Sequence, residues 1–281
     1  MREIPVERIV DTVERLCIRA CYDLPDDVLE SIQSAIQVEE SQVGKNLLAL
    51  LVENAKTAAA ERMPICQDTG VTVVFVELGQ EVHVVGGSLT DAINEGVRRG
   101  YVNGYLRKSV VDDPIFKRKN TGDNTPAVIY TDVVPGDQLK IRIVPKGAGS
   151  ENMSQLRMLI PADGAEGIKR FVVDTVDKAG SNPCPPIIVG VGVGGTMDKA
   201  AQLAKRALMR RLGEHHPDPQ VAALEEEILK EVNYLGIGPQ GLGGRVTALA
   251  VNIETWPTHI GCLPVAVNIQ CHVSRHAEAV L

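Results

Sequence analysis

The spacing of apolar residues changes near residue 63, and this change constrains the fold more than any other feature of the chain. Before it, apolar residues recur at helical spacing in three segments, at 6–21, 25–36 and 43–60. After it, short apolar runs typical of strands alternate with helical segments. The sequence therefore predicts an α/β (mixed α+β) protein, in which a helical N-terminal segment, 1–63, packs on a mixed-sheet body, 64–281. We expect the two parts to form a single domain.

Composition narrows the class of protein. The 281 residues carry a net charge of −7 and only 3% aromatic residues, which disfavours general nucleic-acid binding through phosphate contacts or base stacking. The N-terminus carries charges where a secretory signal needs an apolar stretch, and no window reaches the roughly 18 apolar residues of a membrane span. We expect a protein of the cytoplasm, with no nucleic-acid partner and no membrane.

Individual elements follow from the same patterns. The turn residues Pro135-Gly136-Asp137 indicate a hairpin between two of the strands, and Thr90 is expected to cap a helix that runs to about Val110. Glu81–Val85 is expected to lie beside the strand that precedes it. The predicted strands lie at 71–78, 81–85, 127–134, 139–144, 187–191, 246–253 and 265–273, and the later helices at 91–110, 165–178, 198–212 and 219–235.

Six cysteines are spread along the chain, at positions 17, 21, 66, 184, 262 and 271. A disulfide framework is the weaker interpretation, because the chain is long and carries no secretory signal. Cys17 and Cys21 share one face of the first helix, which favours plain packing. No CxxC pair exists, so a zinc ribbon or a ferredoxin-type cluster is disfavoured. The residues alone leave open whether Cys66, Cys184 and Cys271 converge or only pack.

Four loops hold small and polar residues that a fold alone does not require. Strand ends are where α/β proteins place their chemistry, and each of these loops adjoins a predicted strand. The loops are Pro64–Gly70, Lys146–Asn152, Asn182–Pro186 and Thr258–Gly261, the last followed by Cys271-His272.

One glycine-rich run suggests a different function. Gly190 to Gly195 satisfies the GxGxxG pattern after a strand and before a helix, as in a dinucleotide-binding unit. Such a unit needs a further strand that ends in an acidic residue, whereas here a second helix follows. The competing interpretation is a tight turn capped by Thr196, with some affinity for anions at the helix start.

The loop motifs together resemble a known family, the α subunits of the two-subunit class I fumarate hydratases and L-tartrate dehydratases. The resemblance covers essentially the whole chain, with the motifs in family order. The combination of four motifs is highly specific. They read Pro-Ile-Cys66-Gln67-Asp68-Thr69-Gly, Lys146-Gly-Ala-Gly-Ser-Glu-Asn152, Asn-Pro-Cys184-Pro-Pro and Asn-Ile-Gln-Cys271-His.

The resemblance implies a [4Fe–4S] cluster held by Cys66, Cys184 and Cys271. Three thiolates leave one iron without a cysteine ligand, free to bind the hydroxyl and carboxylate of a hydroxy acid and to act as a Lewis acid. Cys17, Cys21 and Cys262 are then not ligands, although Cys262 lies only three residues after His259.

The resemblance also assigns substrate and proton-transfer roles, each with a plainer alternative. Asp68 and His259 are the expected catalytic residues, but Asp68 would also suit a turn cap and His259 an ordinary loop histidine. Arg107 is expected to grip a carboxylate, with a solvated helix charge as the alternative. The other histidines are expected to have only structural roles, and this expectation is weakest for His272. The implied substrate-binding residues are Gln67, Asp68, Arg107, Gly149, Asn152, Met153, Ser154 and Gln155.

The family's site is completed by a β subunit, so we expect this chain to act in an α2β2 assembly on a small dicarboxylate. The β subunit should dock around the Cys66, Gly149 and His259 loops. The leading expectation is reversible hydration of fumarate to L-malate, and the alternative within the family is dehydration of L-tartrate to oxaloacetate. Two alternatives lie outside this family. One is a nucleotide-binding oxidoreductase, and the other is a non-catalytic subunit with a structural metal.

Overall fold

The computed structural model describes all residues, 1–281, and confirms the mixed α/β class with 42% helix and 24% strand. Helices and strands alternate after a helical start. The helices are α1 Val6–Tyr22, α2 Asp26–Val38, α3 Gln42–Glu61, α4 Leu89–Asn103, α5 Ala148–Glu151, α6 Gly164–Ala179, α7 Met197–Ala207 and α8 Pro219–Tyr234. The strands are β1 Arg2–Pro5, β2 Val71–Gly79, β3 Val82–Val85, β4 Val128–Val134, β5 Leu139–Lys146, β6 Gln155–Leu159, β7 Ile187–Gly194, β8 Ala248–Trp256, β9 Leu263–Gln270 and β10 Ala277–Val280.

The chain divides into two compact units, each assembled from separate stretches. Unit 1 comprises Met1–Leu24, Ala55–Ala148 and Arg275–Leu281, and unit 2 comprises Pro25–Asn54 and Gly149–Ser274. The change of pattern near residue 63 therefore does not mark the boundary between the units. The prediction of a single catalytic domain stays a prediction.

Unit 1 is built on a four-stranded sheet in the order β10-β5-β2-β4. Helices α1 and α4 pack against each other, and α1 also contacts β5 and β10. Their shared core is fully apolar and includes Ile9, Val13, Val74 and Ile141, none of which is exposed. The first strand, β1, pairs in parallel with β3 in a separate two-stranded sheet.

Two pairings in unit 1 differ from the sequence prediction. The predicted hairpin between β4 and β5 does not form, because β2 lies between them and pairs with both, in parallel with β4 and antiparallel to β5. The turn after β4 instead accepts backbone hydrogen bonds at the end of β2, where Gln80 and Glu81 donate to the carbonyls of Val134 and Gly136. The neighbour of β3 is β1, not β2. A buried central strand such as β2 needs partners on both edges, and this requirement outweighs local turn preference.

Unit 2 is built on a second four-stranded sheet, in the order β6-β9-β7-β8. Strand β7 is buried along most of its length and pairs in parallel with β8 and antiparallel to β9. Helix α7 packs on β7, α8 packs on β8, and α6 packs on α8. This arrangement holds the Cys184 turn before β7 and delivers Cys271 directly after β9.

Element ends are where the sequence prediction fails most often. Helix α4 ends at Asn103, since the Gly104 amide donates to Gly100 and Tyr105 takes a left-handed φ of 50°. Its N-cap is Ser88, not Thr90. Helix α7 ends at Ala207, five residues before the predicted end at Leu212. Strands β1, β6 and β10 were not predicted, and none of the helices has the length and apolarity that a bilayer crossing requires.

Candidate active site

The Cys184 turn holds its cysteine in a constrained conformation. The residue is exposed between buried Pro183 and Pro185, and its φ of 54° lies in the left-handed region that side chains rarely adopt. Its amide donates to the Ser181 carbonyl at 3.0 Å. A strained backbone at an accessible thiol suggests a functional position.

The segments that carry Cys184 and Cys271 meet within unit 2. The amide of His272 faces the Cys184 carbonyl at 3.4 Å, and its ring nitrogen Nδ1 lies 3.1 Å from the same oxygen. Cys271 is half-buried at the end of β9. The structure therefore brings together the main chains beside two of the three predicted ligand cysteines.

The third predicted ligand, Cys66, belongs to unit 1. It is half-buried, and its thiol donates to the Gln67 side-chain oxygen at 3.2 Å. The preceding amide, of Ile65, donates to the Cys21 carbonyl at 3.0 Å and so ties the loop to α1. Within neither unit do three His, Cys, Asp or Glu side chains form a group that could hold a metal ion. The three-cysteine ligand set stays a prediction.

The chemistry of the donor set fits the predicted cluster. Metal ligation requires thiolates, and the thiols of Cys66, Cys184 and Cys271 lie at accessible or half-buried positions. Cys17 and Cys21 are fully buried, and burial raises the pKa of Cys21 to about 11 and that of Cys17 well above its usual value. Their thiols stay protonated, which matches their predicted packing role.

Asp68 uses both carboxylate oxygens within unit 1. Oδ1 accepts a hydrogen bond from the Gly70 amide at 3.1 Å, and Oδ2 accepts one from the Ala148 amide at 2.8 Å. The carboxylate thus caps a turn, the alternative weighed from the sequence, and also fixes the start of α5. Its backbone carbonyl accepts from the buried guanidinium of Arg275. Each oxygen retains a second lone pair, so the group can also accept a proton.

Arg107 lies outside any helix, which corrects the expected helix to Val110. The Arg107 guanidinium is exposed. The backbone of Arg107 is held in place, because its carbonyl accepts a hydrogen bond from the Thr69 hydroxyl at 3.0 Å. The Thr69 carbonyl in turn accepts from the buried Tyr101 hydroxyl at 2.7 Å. The loop with Asp68 and the segment with Arg107 are therefore neighbours in unit 1.

The predicted substrate loop is partly structural. The Ser154 hydroxyl accepts hydrogen bonds from Asn268 Nδ2 at 2.8 Å and from the Ile269 amide at 3.3 Å, so it fastens the loop to β9. Gln155 begins β6 and pairs with β9. Gly149 and Asn152 are exposed, and the Met153 sulfur accepts from the Asn182 side chain at 3.6 Å, beside the Cys184 turn.

His259 lines a cavity of about 460 Å³ in unit 2. The cavity also contains Lys199, whose Nζ lies 4.3 Å above the Trp256 ring. Thr258 fixes the loop by donating to the Gly195 carbonyl at 2.9 Å. The His259 Nδ1 lies 3.9 Å from Cys262 Sγ. The imidazole is exposed and held by a tight turn, and Lys199 is a neighbouring cation that the sequence did not single out.

The GxGxxG run does not form a phosphate loop. Gly190 and Gly192 lie inside β7, where a Cβ atom would meet the α7 backbone at 2.2 Å from the Ala204 carbonyl and 2.0 Å from the Ala200 carbonyl. These glycines let α7 pack closely on the sheet. Thr196 occupies the N-cap position of α7 as predicted, but its hydroxyl makes no capping hydrogen bond to a backbone amide and donates to Asp198 at 2.6 Å.

A buried carboxylate in unit 2 escaped the sequence analysis. Glu39 is 2% exposed at the end of α2. Its Oε1 accepts hydrogen bonds from the amides of Glu40, Ser41 and Arg245, and its Oε2 accepts from Val246, all at 2.8–2.9 Å. Burial alone would raise the pKa of Glu39, but these bonds outweigh it and lower the pKa. Glu39 therefore anchors the chain that follows the glycine-rich segment 236–244.

We predict that Glu39→Gln removes stability in a pH-dependent way. Because the folded-state pKa is lowered, ionised Glu39 stabilises the fold above its ordinary value of 4.5, and this contribution disappears as the pH falls through the folded-state value. The variant should lose about 2–3 kcal/mol of unfolding free energy near pH 7, and the difference from wild type should shrink below pH 4.5. Urea denaturation across pH measures this. Glu40→Gln, whose exposed carboxylate pairs with Arg245, should cost under about 1 kcal/mol.

Comparison with known proteins agrees with the motifs. A family model described as fumarate hydratase (fumerase) matches residues 10–280. A Methanocaldococcus jannaschii protein, provisionally named L(+)-tartrate dehydratase subunit alpha, is 44% identical over 275 residues, 96% of each chain. L(+)-tartrate dehydratase subunit alpha of Escherichia coli UTI89 is 32% identical over 272 residues, 96% of this chain and 89% of that one. The Shigella sonnei protein of the same name is 31% identical over the same length. The chain therefore belongs to the fumarate hydratase (fumerase) family.

Proposed function

We propose that this chain is the α subunit of an iron–sulfur hydro-lyase that interconverts fumarate and L-malate. Membership of the fumarate hydratase family makes the chain part of a hydro-lyase. The observation that carries the iron–sulfur part of the proposal is the accessible Cys184 thiol, held in a strained turn beside the segment with Cys271. Dehydration of L-tartrate is the second candidate, and the names of the related proteins favour it.

Cys66, Cys184 and Cys271 would hold a [4Fe–4S] cluster. When bound, a cluster with three thiolate ligands supplies one iron that acts as a Lewis acid toward the departing hydroxyl. The two buried cysteines, Cys17 and Cys21, serve packing because their thiols remain neutral. Burial thus removes Cys17 and Cys21 from the candidate ligands, and the family motifs set Cys66, Cys184 and Cys271 apart from the half-buried Cys262.

The remaining polar residues would orient the substrate and move protons. Arg107 binds one carboxylate through its exposed guanidinium, and Gln67 and the loop at Gly149 contribute polar contacts. Asp68 accepts or returns a proton through a lone pair that its backbone bonds leave available. His259 serves as a second proton-transfer group in its cavity.

A partner subunit would complete the site. The relatives are named as alpha subunits, which supports a partner for this chain. Among the matched positions Arg107 is the only plausible carboxylate-binding arginine, and a dicarboxylate needs both ends held. We propose a β subunit in an α2β2 assembly.

The proposal is tested by anaerobic assay of the chain co-expressed with its β subunit on fumarate, L-malate and both tartrates. Formation of L-malate from fumarate supports the first candidate. Oxaloacetate from L-tartrate, with fumarate left unchanged, would replace it with the second. Turnover of none of the four would contradict both.

We predict that Asp68→Asn lowers kcat/KM about 10²–10⁴-fold while the iron content stays at the wild-type level. Asparagine keeps the shape and one acceptor oxygen but cannot take a proton. The anaerobic assay, run beside iron analysis, measures both quantities. Asp23→Asn, which breaks the exposed pair with Arg62, is the matched control and should leave turnover unchanged. An Asp68→Asn enzyme with normal kcat would remove Asp68 from the chemistry.

A further inference from the structure

The glycine loop (236–244) packs on the turn that carries Cys184. Both the backbone amide and the side-chain Nε2 of Gln240 donate to the Pro185 carbonyl, at 2.8 and 2.6 Å. Two donors on one oxygen form a bidentate contact from a single residue. The loop therefore binds the turn at the Pro185–Pro186 peptide, one residue after Cys184.

The same side chain also reaches the segment beside Cys271. Gln240 Nε2 lies 3.2 Å from His272 Nδ1, and that ring nitrogen lies 3.1 Å from the Cys184 carbonyl. Gln240 and His272 thus form a short polar chain between the two cysteine-bearing segments of unit 2. The sequence indicates only a structural role for His272.

Backbone geometry shows that this contact is built under constraint. Gln240 has a φ of 54°, the same left-handed conformation as Cys184, so two strained residues face each other. At Gly241 an added Cβ would lie 2.1 Å from the Ser181 Cβ, so only glycine allows this approach. Glu39 fixes the far end of the loop through the amides of Arg245 and Val246.

We propose that Gln240, with His272, is a positioning residue that holds the Cys184 turn in the orientation required of a cluster ligand. The inference rests on the proposed function. The carbonyls of two successive peptide groups, Cys184–Pro185 and Pro185–Pro186, are held by His272 and Gln240, so the Cys184 Cα–Cβ direction is set by contacts outside its own turn. Groups that orient ligands in this way typically change metal retention about 10–100-fold when removed.

The test uses Gln240→Ala in the full chain. Alanine is no less tolerant than glutamine of the left-handed backbone and keeps the backbone amide, so the change removes the side-chain donor alone. Gln240→Glu, of equal length but without the N–H group, is a second variant if the first does not fold. Gln42→Ala, at an exposed position of α3, is the control.

The first measurement is hydrogen–deuterium exchange of the cluster-free chain. The amides of Ser181, Asn182 and Cys184, which are the N–H groups of segment 181–186, and those of 270–273 should exchange about fivefold to tenfold faster in the Gln240 variant, with β7 and α7 unchanged. The Gln42 variant should match wild type. Unchanged exchange at 181–186 would overturn the proposal.

The second measurement is iron retention after anaerobic reconstitution. The variant should lose iron to a chelator about 10–100-fold faster and show an altered EPR spectrum of the cluster. Faster exchange with wild-type iron retention and spectrum would overturn the positioning role, since the contact would then be structural only. A wild-type chain that takes up no iron and sulfide would contradict the proposed function itself, whereas the exchange result still decides whether Gln240 holds the turn.

Discussion

Replacing Cys184 by serine is expected to abolish both cluster binding and turnover. A serine hydroxyl is a far weaker iron ligand than a thiolate, and the rigid turn allows no neighbouring group to take its place. The structure makes this substitution informative, because Cys184 is exposed and its thiol contributes nothing to the apolar core. Iron and sulfide analysis after anaerobic reconstitution, with turnover in the presence of the β subunit, measures the effect.

The matched control is Cys17→Ser in α1. Cys17 is fully buried with its pKa raised, so serine there should cost about 1–2 kcal/mol of unfolding free energy and leave iron content unchanged. Cys66→Ser and Cys271→Ser should reproduce the Cys184 result. A Cys184→Ser protein that retains full iron, sulfide and turnover would defeat the ligand assignment.

The second large effect is expected when the partner subunit is withheld. The reconstituted chain alone should bind iron and sulfide but turn over at least about 30-fold more slowly than the mixture with its β subunit. Arg107 is the only plausible carboxylate-binding arginine among the matched positions, and each missing charge-assisted contact costs about 2–5 kcal/mol, roughly 30-fold to several thousand-fold in rate. Anaerobic assays of the chain alone and of the mixture give the comparison directly.

The control for that comparison is iron content, measured on the same samples. If the chain alone and the mixture contain equal iron, the slow rate of the chain alone results from its incomplete site and not from loss of the cluster. If the chain alone runs at the rate of the mixture, the shared-site proposal is wrong.

The fold was predictable where local pattern and burial agree. Helices α1, α6 and α8 and the buried strand β7 follow from apolar periodicity, and their ends fall within a few residues of the prediction. Strand pairing was not predictable from the sequence. Strand β2 is central and pairs with both β4 and β5. A local turn motif between β4 and β5 contains no information about a third strand that lies between them. The short strand β10 depends on its partner β5 and carries little signal of its own.

The candidate site was likewise predictable only where the signal is local in the sequence. Motifs located the Asp68, Cys184 and His259 loops, since unusual residue combinations mark them individually. They did not show that Asp68 also accepts from the Ala148 amide, nor that Gln240 binds the Cys184 turn, because both contacts join residues distant in sequence. The run Gly-Pro-Gln-Gly-Leu-Gly-Gly at 238–244 was the one available signal for Gln240.

The central claim is that three cysteines hold a four-iron cluster and leave one iron accessible. Its most direct test is EPR spectroscopy with iron and sulfide analysis of the anaerobically reconstituted wild-type chain, before and after exposure to air. The account predicts about four irons per chain, loss of one iron in air with a change of spectrum, and restoration by iron with reductant. A reconstituted chain without iron and sulfide, or a cluster that keeps every iron after prolonged exposure to air, would contradict it.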